Sequence, residues 1–201
     1  MNKFLEAHTQ EKPFNMYFSK DNGEYQKKAK RICWEYNRTG PDEMDKRREL
    51  LKELCGTCND SVIIQPSFQC DYGFNLHFHG FALINYNCVI LDTSPVHIGN
   101  CVFIAPGVCI SCAGHAIHPE QRLEGLSTSA PITIEDNVWI GANCTICPGV
   151  TIGQGSVIGA GSVVNRSIPA GVVAAGVPCR VIRPITDADR IQKKDIIFCP
   201  D

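Results

Sequence analysis

Gly114-His115 opens the polar stretch 116–131, AIHPEQRLEGLSTSAP. An imidazole held by regular structure on one side and facing a loop on the other suits a general base that takes a proton from a hydroxyl. A plain surface histidine is the competing reading. His79, His97 and His115 also recur at equal intervals of three sixes, which raises a metal reading. Stacked strands lie about 4.8 Å apart, so such a column spans nearly 10 Å. That is too far for one ion with bonds of about 2 Å. Twelve cysteines include three C-x-x-C pairs, Cys55/Cys58, Cys109/Cys112 and Cys144/Cys147. Their separations fit no zinc ribbon or finger, they fall at different phases of the repeat, and free structural thiols are the simpler account. No metal is expected.

The elements that must hold His115 come from a repeat. Ile134, Ile140, Ile146, Ile152, Ile158 and Val164 recur every six residues, each followed four positions on by a small or aliphatic residue. Ile98, Ile104 and Ile110 are three more units. A period of six with an inward aliphatic residue marks a parallel β-helix, three hexads making one triangular coil. Ile110 and Ile134 are separated by four whole periods, so the chain leaves the prism after one unit and re-enters in phase. A prism face has no cleft, and an excursion supplies a wall. The interval from Ile90 to Ile98 is eight residues, which leaves the register upstream open.

Before residue 60 the texture is helical. Residues 24–38 and 42–55 read as helices, with Ile32 and Tyr36 on the first and Met44, Leu50, Leu51 and Leu54 on the second. Pro41 suits the first turn of the second helix. The chain divides into a helical cap, 1–58, a β-helix, 59–183, with an excursion at 116–131, and a tail, 184–201. A net charge of -2 argues against nucleic acid. The apolar runs are far shorter than the roughly 20 residues of a membrane span. The first residues lack the apolar centre of a signal peptide, so a cytoplasmic protein is expected.

CDYGFN (70–75), Gly114-His115, the run 131–164 and AAGVPCRVIR (174–183) resemble the hexapeptide-repeat sugar O-acetyltransferases of the maltose and galactoside type. The likeness extends from the cap to Arg183. It implies a left-handed parallel β-helix with an N-terminal α-helical cap, acetyl-CoA as co-substrate, a sugar hydroxyl as acceptor, and a homotrimer with sites between subunits. His115 matches the family's catalytic histidine and Asn85 its oxyanion donor. Asp71 matches an acceptor position, with Asp92 a weaker companion. Trp139, Ala142, Ala160, Asn165, Arg166, Arg180 and Arg183 match its coenzyme A groove. Asn15, Gln26 and Lys27 depart from the pattern at acceptor positions. An amine or antibiotic acceptor, a metal-dependent hydratase and a non-catalytic scaffold are the other readings.

Overall fold

A computed structural model describes residues 13–15 and 20–192. A short strand, β1 (Phe14–Asn15), precedes two helices, α1 (Lys20–Tyr36) and α2 (Met44–Leu54). On α1 the buried residues Ala29, Ile32, Cys33 and Tyr36 follow the three-four spacing of one helix face. Arg47, Leu50, Leu51 and Leu54 do the same on α2. Met44, expected on that face, is exposed. Pro41 lies in a turn ahead of α2, and Gly40 N donates to the Glu43 carboxylate there.

The β-helix follows. Its first coil is β2 (Val62–Ile64), β3 (Phe68–Cys70) and β4 (Leu76–Phe78). The second is β5 (Ala82–Ile84), β6 (Cys88–Leu91) and β7 (Val96–Ile98). The third begins with β8 (Val102–Ile104) and β9 (Cys109–Ser111). It is then interrupted by an arm of β10 (Ala113–His115), α3 (Pro119–Leu123) and β11 (Leu126–Ser129), and closes with β12 (Ile132–Ile134). Then come β13 (Trp139–Ile140), β14 (Thr145–Ile146), β15 (Thr151–Ile152), β16 (Val157–Ile158) and β17 (Val163–Val164). β18 (Val172–Gly176) and β19 (Cys179–Pro184) finish the prism as an antiparallel pair.

The strands stack in parallel into three faces. The first carries β2, β5, β8, β13, β16 and β18, the second β3, β6, β9, β14 and β17, the third β4, β7, β12 and β15. Ile98, Ile104, Ile110, Ile134, Ile140, Ile146, Ile152, Ile158 and Val164 all point inward and are buried, as the repeat requires. Each contributes roughly 1.5–3 kcal/mol relative to exposure. The turns demand left-handed backbone. Asn137 and Asn143 adopt φ of 58° and 56°, and Cys101 sits at 55° where asparagine or glycine is the usual choice.

The register corrects one expectation. Leu76 pairs Val96, and Val62 pairs Ala82, so each of the first two coils is longer by two residues than three hexads. Thr133 pairs Thr151, the three-hexad spacing the repeat calls for. His77, not His79, is therefore the strand partner of His97, their ring centroids 5.0 Å apart. His79, just past the end of β4, also stacks on His97, with centroids 5.3 Å apart and Nε2 3.0 Å from Nδ1. His115 is in the arm and no part of this column. Among the described residues no group of three His, Cys, Asp or Glu side chains could hold a metal ion. The stacked-histidine metal reading falls with its register.

Candidate active site

The extra residues all enter at one corner. From the second face to the third, Cys70 to Phe78 and Ile90 to Ile98 each take eight residues, Ile110 to Ile134 takes four times six, and Ile146 to Ile152 takes six. Asp71, Asp92 and His115 all stand in these enlarged corners.

Asp92 is fully buried. Its Oδ1 accepts the backbone N–H groups of Asp71 and Tyr72 at 3.0 and 2.9 Å. Among the described residues its Oδ2 has no hydrogen-bond partner, and burial pushes the carboxyl up to about 6. The side chain thus fixes the backbone behind Asp71 from inside the corner. Asp71 itself is half-buried, its carboxyl raised by burial against the opposing pull of Lys30 on α1.

The arm is more ordered than a polar excursion at 116–131 implies, and it starts earlier. It leaves the prism at Cys112, whose carbonyl accepts the N–H of Ala130 on the return. Between them β10 and β11 form an antiparallel hairpin with Ala113 opposite Ser129 and His115 opposite Ser127. Ser129 is clamped at the base by Thr93 and Ser94, hydroxyl to hydroxyl, at 2.7 and 2.6 Å. At the tip Arg122 donates to the carbonyls of Ala116 and Ile117. β1 adds a third strand, Phe14 opposite Ser127, and Asn15 Nδ2 donates to the Glu124 carbonyl at 2.7 Å. His115 therefore sits on a strand within the arm and is exposed, rather than braced against a coil at the exit. Its Nδ1 lies 3.4 Å from Ser127 Oγ. The arm lines a cavity of about 840 Å³ with His115, His118, Gln121, Ser127 and Pro13 on its walls.

The other expected residues lie elsewhere. Asn85, half-buried, is at the corner between the first and second faces. Its Oδ1 accepts the Tyr86 N–H at 2.9 Å, which directs the Nδ2 donor end away from that bond. Ala142 and Ala160 follow β13 and β16 at this same corner, below Asn85, and Trp139 projects from the first face with 54% of its surface exposed. β6, four residues long, crosses the second face between Asn85 and Asp92, a breadth of about 13 Å. One chain thus brings Asp71, Asp92 and the His115 arm to one corner and Asn85, Ala142 and Ala160 to another. Asn165 and Arg166 are exposed just after β17. Arg180 and Arg183 are exposed on β19, but Arg183 is engaged by both carboxylate oxygens of Asp189 at 2.6 and 2.8 Å. Within the expected tail, 184–201, Asp189 thus reaches back to the prism. Of the departures from the family pattern, Asn15 ties the arm, Gln26 Nε2 reaches the Tyr72 hydroxyl at 3.5 Å, and Lys27 pairs with Glu24.

Sequence reasoning passed over Ser127 and Ser129. The signal was there: LSTS after Gly125 places serine at alternate positions, the period of a strand that buries one side.

The comparisons with known proteins agree with this construction. Residues 131–166 match the bacterial transferase hexapeptide model, and residues 10–59 match the maltose acetyltransferase hexapeptide capping motif. The galactoside O-acetyltransferase of Escherichia coli K12 is 47% identical over 163 residues, 81% of this chain and 80% of that protein. The chain belongs to the hexapeptide-repeat sugar O-acetyltransferase family. It is an acyltransferase on a parallel β-helix. A solved galactoside acetyltransferase in complex with coenzyme A superposes with a TM-score of 0.88 at 44% identity, 92% of each chain being covered. A hexapeptide-repeat acetyltransferase from Vibrio cholerae, complexed with acetyl coenzyme A, gives 0.84 at 34% identity over 92% of this chain and 99% of that one.

Proposed function

We propose that this acyltransferase moves the acetyl group of acetyl-CoA directly to a hydroxyl of a sugar of the galactoside, glucose or maltose type, with His115 as the general base. The observation that carries the reading is the setting of the imidazole. Nδ1 faces Ser127 Oγ, and among the described residues Nε2 has no hydrogen-bond partner. The Nδ1–H tautomer donates to the serine and leaves a basic Nε2 for the cavity. A sugar hydroxyl bound there loses its proton to Nε2 as its oxygen attacks the thioester carbonyl. The tetrahedral oxyanion takes a hydrogen bond from Asn85 Nδ2, collapse expels the coenzyme A thiolate, and the imidazolium returns the proton to it. Asp71 accepts hydrogen bonds from the acceptor's other hydroxyls, and Asp92 holds the Asp71 backbone.

The two corners meet when copies of the chain pack side by side, the His115 arm of one closing over the Asn85 corner of the next. The outward residues of the first face support a homotrimer of this kind. Ile63, Leu83, Phe103, Trp139, Val157 and Val173 stand in one apolar column by strand register, with Phe103 and Trp139 largely exposed. Trp139, Ala142 and Ala160 then line the pantetheine groove, and Asn165, Arg166, Arg180 and Arg183 receive the phosphates. Among the described residues no helix is long and apolar enough to cross a membrane, and a cytoplasmic setting, where acetyl-CoA is made, fits the reading.

The test is acceptor-dependent release of free thiol from acetyl-CoA with a panel of galactosides, glucosides and maltose, against a no-acceptor blank. Loss of at least about a hundredfold in His115→Ala is expected. Release with amine acceptors and with no sugar would transfer the assignment to an N-acetyltransferase.

A further inference from the structure

Eleven cysteines in the described residues are free, and two of them meet across the joint between cap and prism. Cys33 of α1 and Cys70 at the end of β3 place their sulfurs 3.7 Å apart, although 37 residues separate them in the chain. Both are buried. The joint is already pinned close by. Asn37 exchanges two hydrogen bonds with the Phe68 backbone, Nδ2 to the carbonyl at 2.9 Å and N–H to Oδ1 at 2.8 Å. The sulfurs are therefore held in register rather than brushing past each other. One residue away on α1 and two beyond Cys70, a cavity of about 300 Å³ runs between the helices and residues 72–74, lined by Ala29, Ile32, Cys55, Tyr72 and Phe74 and not by either sulfur. It borders the turn that precedes Cys33 and the segment that follows Cys70, and is roomy enough for a hydroperoxide.

We propose that Cys33 and Cys70 form a dithiol–disulfide site that a hydroperoxide oxidises, stapling the helical cap to the prism immediately before Asp71. Either S–H can donate in this contact; the shared hydrogen bond lowers the Cys33 thiol, while it and burial raise Cys70 well above its ordinary value. Cys33 is accordingly the first sulfur to react. Its thiolate attacks the peroxide, the O–O bond breaks, one oxygen leaves as water or alcohol, and the other remains as a sulfenic acid. The Cys70 sulfur then attacks the Cys33 sulfur. The S–S bond forms, the S–O bond breaks, and hydroxide leaves as water with the Cys70 proton. The two sulfurs supply the two electrons that reduce the peroxide. Closure draws the sulfurs from 3.7 Å to about 2.05 Å, a displacement passed to the Asp71 peptide that Asp92 holds. A reversible bond of this kind is what a reducing compartment permits.

The disulfide is independent of the acyl-transfer reading; its effect on acceptor binding rests on that reading. The experiment treats the full-length wild-type chain with one to five equivalents of hydrogen peroxide. It is then quenched with an alkylating agent in denaturant, and the peptides are mapped without reduction. A Cys33–Cys70 cross-link as the most abundant product is expected, with a rise in Tm of roughly 5–10 °C that dithiothreitol reverses and Cys70→Ser abolishes. The map needs no variant and no turnover. Both thiols recovered alkylated while other cysteines oxidise, or Cys55–Cys58 as the main link, overturns the site. In the cross-linked form KM for the sugar rises at least about threefold with KM for acetyl-CoA unchanged, and an unaltered sugar KM overturns the tie to Asp71.

Discussion

The two ends of the prism are built from the same hexads but keep different time. The first two coils each spend two residues more per turn than three hexads, and the fourth spends three hexads and no more. Both bury one inward apolar residue per strand end, aromatic or cysteine at Phe78 and Cys70 in the first coil and aliphatic throughout the strict coils. The difference in length is confined to one corner, where the early coils carry eight residues and the third carries the arm. Where the period is strict, the corners hold small residues that let coils stack closely: a Cβ on Gly141 would meet Ala160 N at 2.6 Å. Where it is relaxed, the corners hold Asp71, Asp92 and His115. Regularity serves packing, and every proposed acceptor-side group lives where regularity is broken.

The largest effect should come from restoring the period at the third coil. Deleting 113–130 joins Cys112 to Pro131 and returns Ile110 and Ile134 to a spacing of six. A folded prism, with its Tm within a few degrees of wild type, and no acyl transfer to sugars is the expected result. An unfolded product would mean that the arm also holds the coils together. Conversely, Ile158→Ala in the strict region empties a fully buried site and should cost about 2–4 kcal/mol in denaturant unfolding, with KM values unchanged in the folded fraction.

Asp92 gives a pH signature of the relaxed corner. Its folded carboxyl sits at about 6, above the unfolded value near 3.9. Its contribution is thus fully present below about pH 4 and is lost as pH rises through 6. Between pH 4 and 7 wild type should lose about 2–3 kcal/mol relative to Asp92→Asn, measured as the difference between the two stability profiles. A constant difference would show that the carboxyl titrates normally. The smallest effect is at Cys101, at φ 55° one coil before Asn137 at φ 58°. Cys101→Asn should add about 0.5–1 kcal/mol without changing turnover.

Much of this fold was readable from residue types alone. A buried aliphatic every six residues fits a stacked prism and little else, and nine such units located the faces before any strand was seen. Both helices were found, their ends displaced by a few residues because their buried stripes, Ala29 to Tyr36 and Arg47 to Leu54, fix the faces better than the caps fix the termini. The relaxed corners were harder. The eight-residue interval after Ile90 was visible, but its twin after Cys70 was hidden because Cys70 and Phe78 do not read as hexad aliphatics. The hairpin in the arm left only the alternation of LSTS as a signal, weak because the side it buries is serine rather than aliphatic. Asp92 enters the sequence reading only as a weaker acceptor-side companion of Asp71, because nothing in LDTSP says which way its carboxylate turns. Only the corner geometry shows it turned inward to two peptide N–H groups. The Cys33–Cys70 contact joins elements whose docking no periodicity encodes.

One further feature concerns growth. A stack of identical coils is an open polymer in miniature, with unsatisfied strand edges at both ends ready to recruit another chain. Here each end has a terminator. At the start, the Asn37 side chain takes both hydrogen-bonding groups of Phe68, Thr57 pairs with the backbone of β4, and the Tyr36 hydroxyl donates to the Ile64 carbonyl. At the finish, β19 turns back antiparallel on β18 and leaves a face no parallel coil can extend. The chain therefore sets its own length, and its solubility depends as much on these two stops as on the charges along its sides.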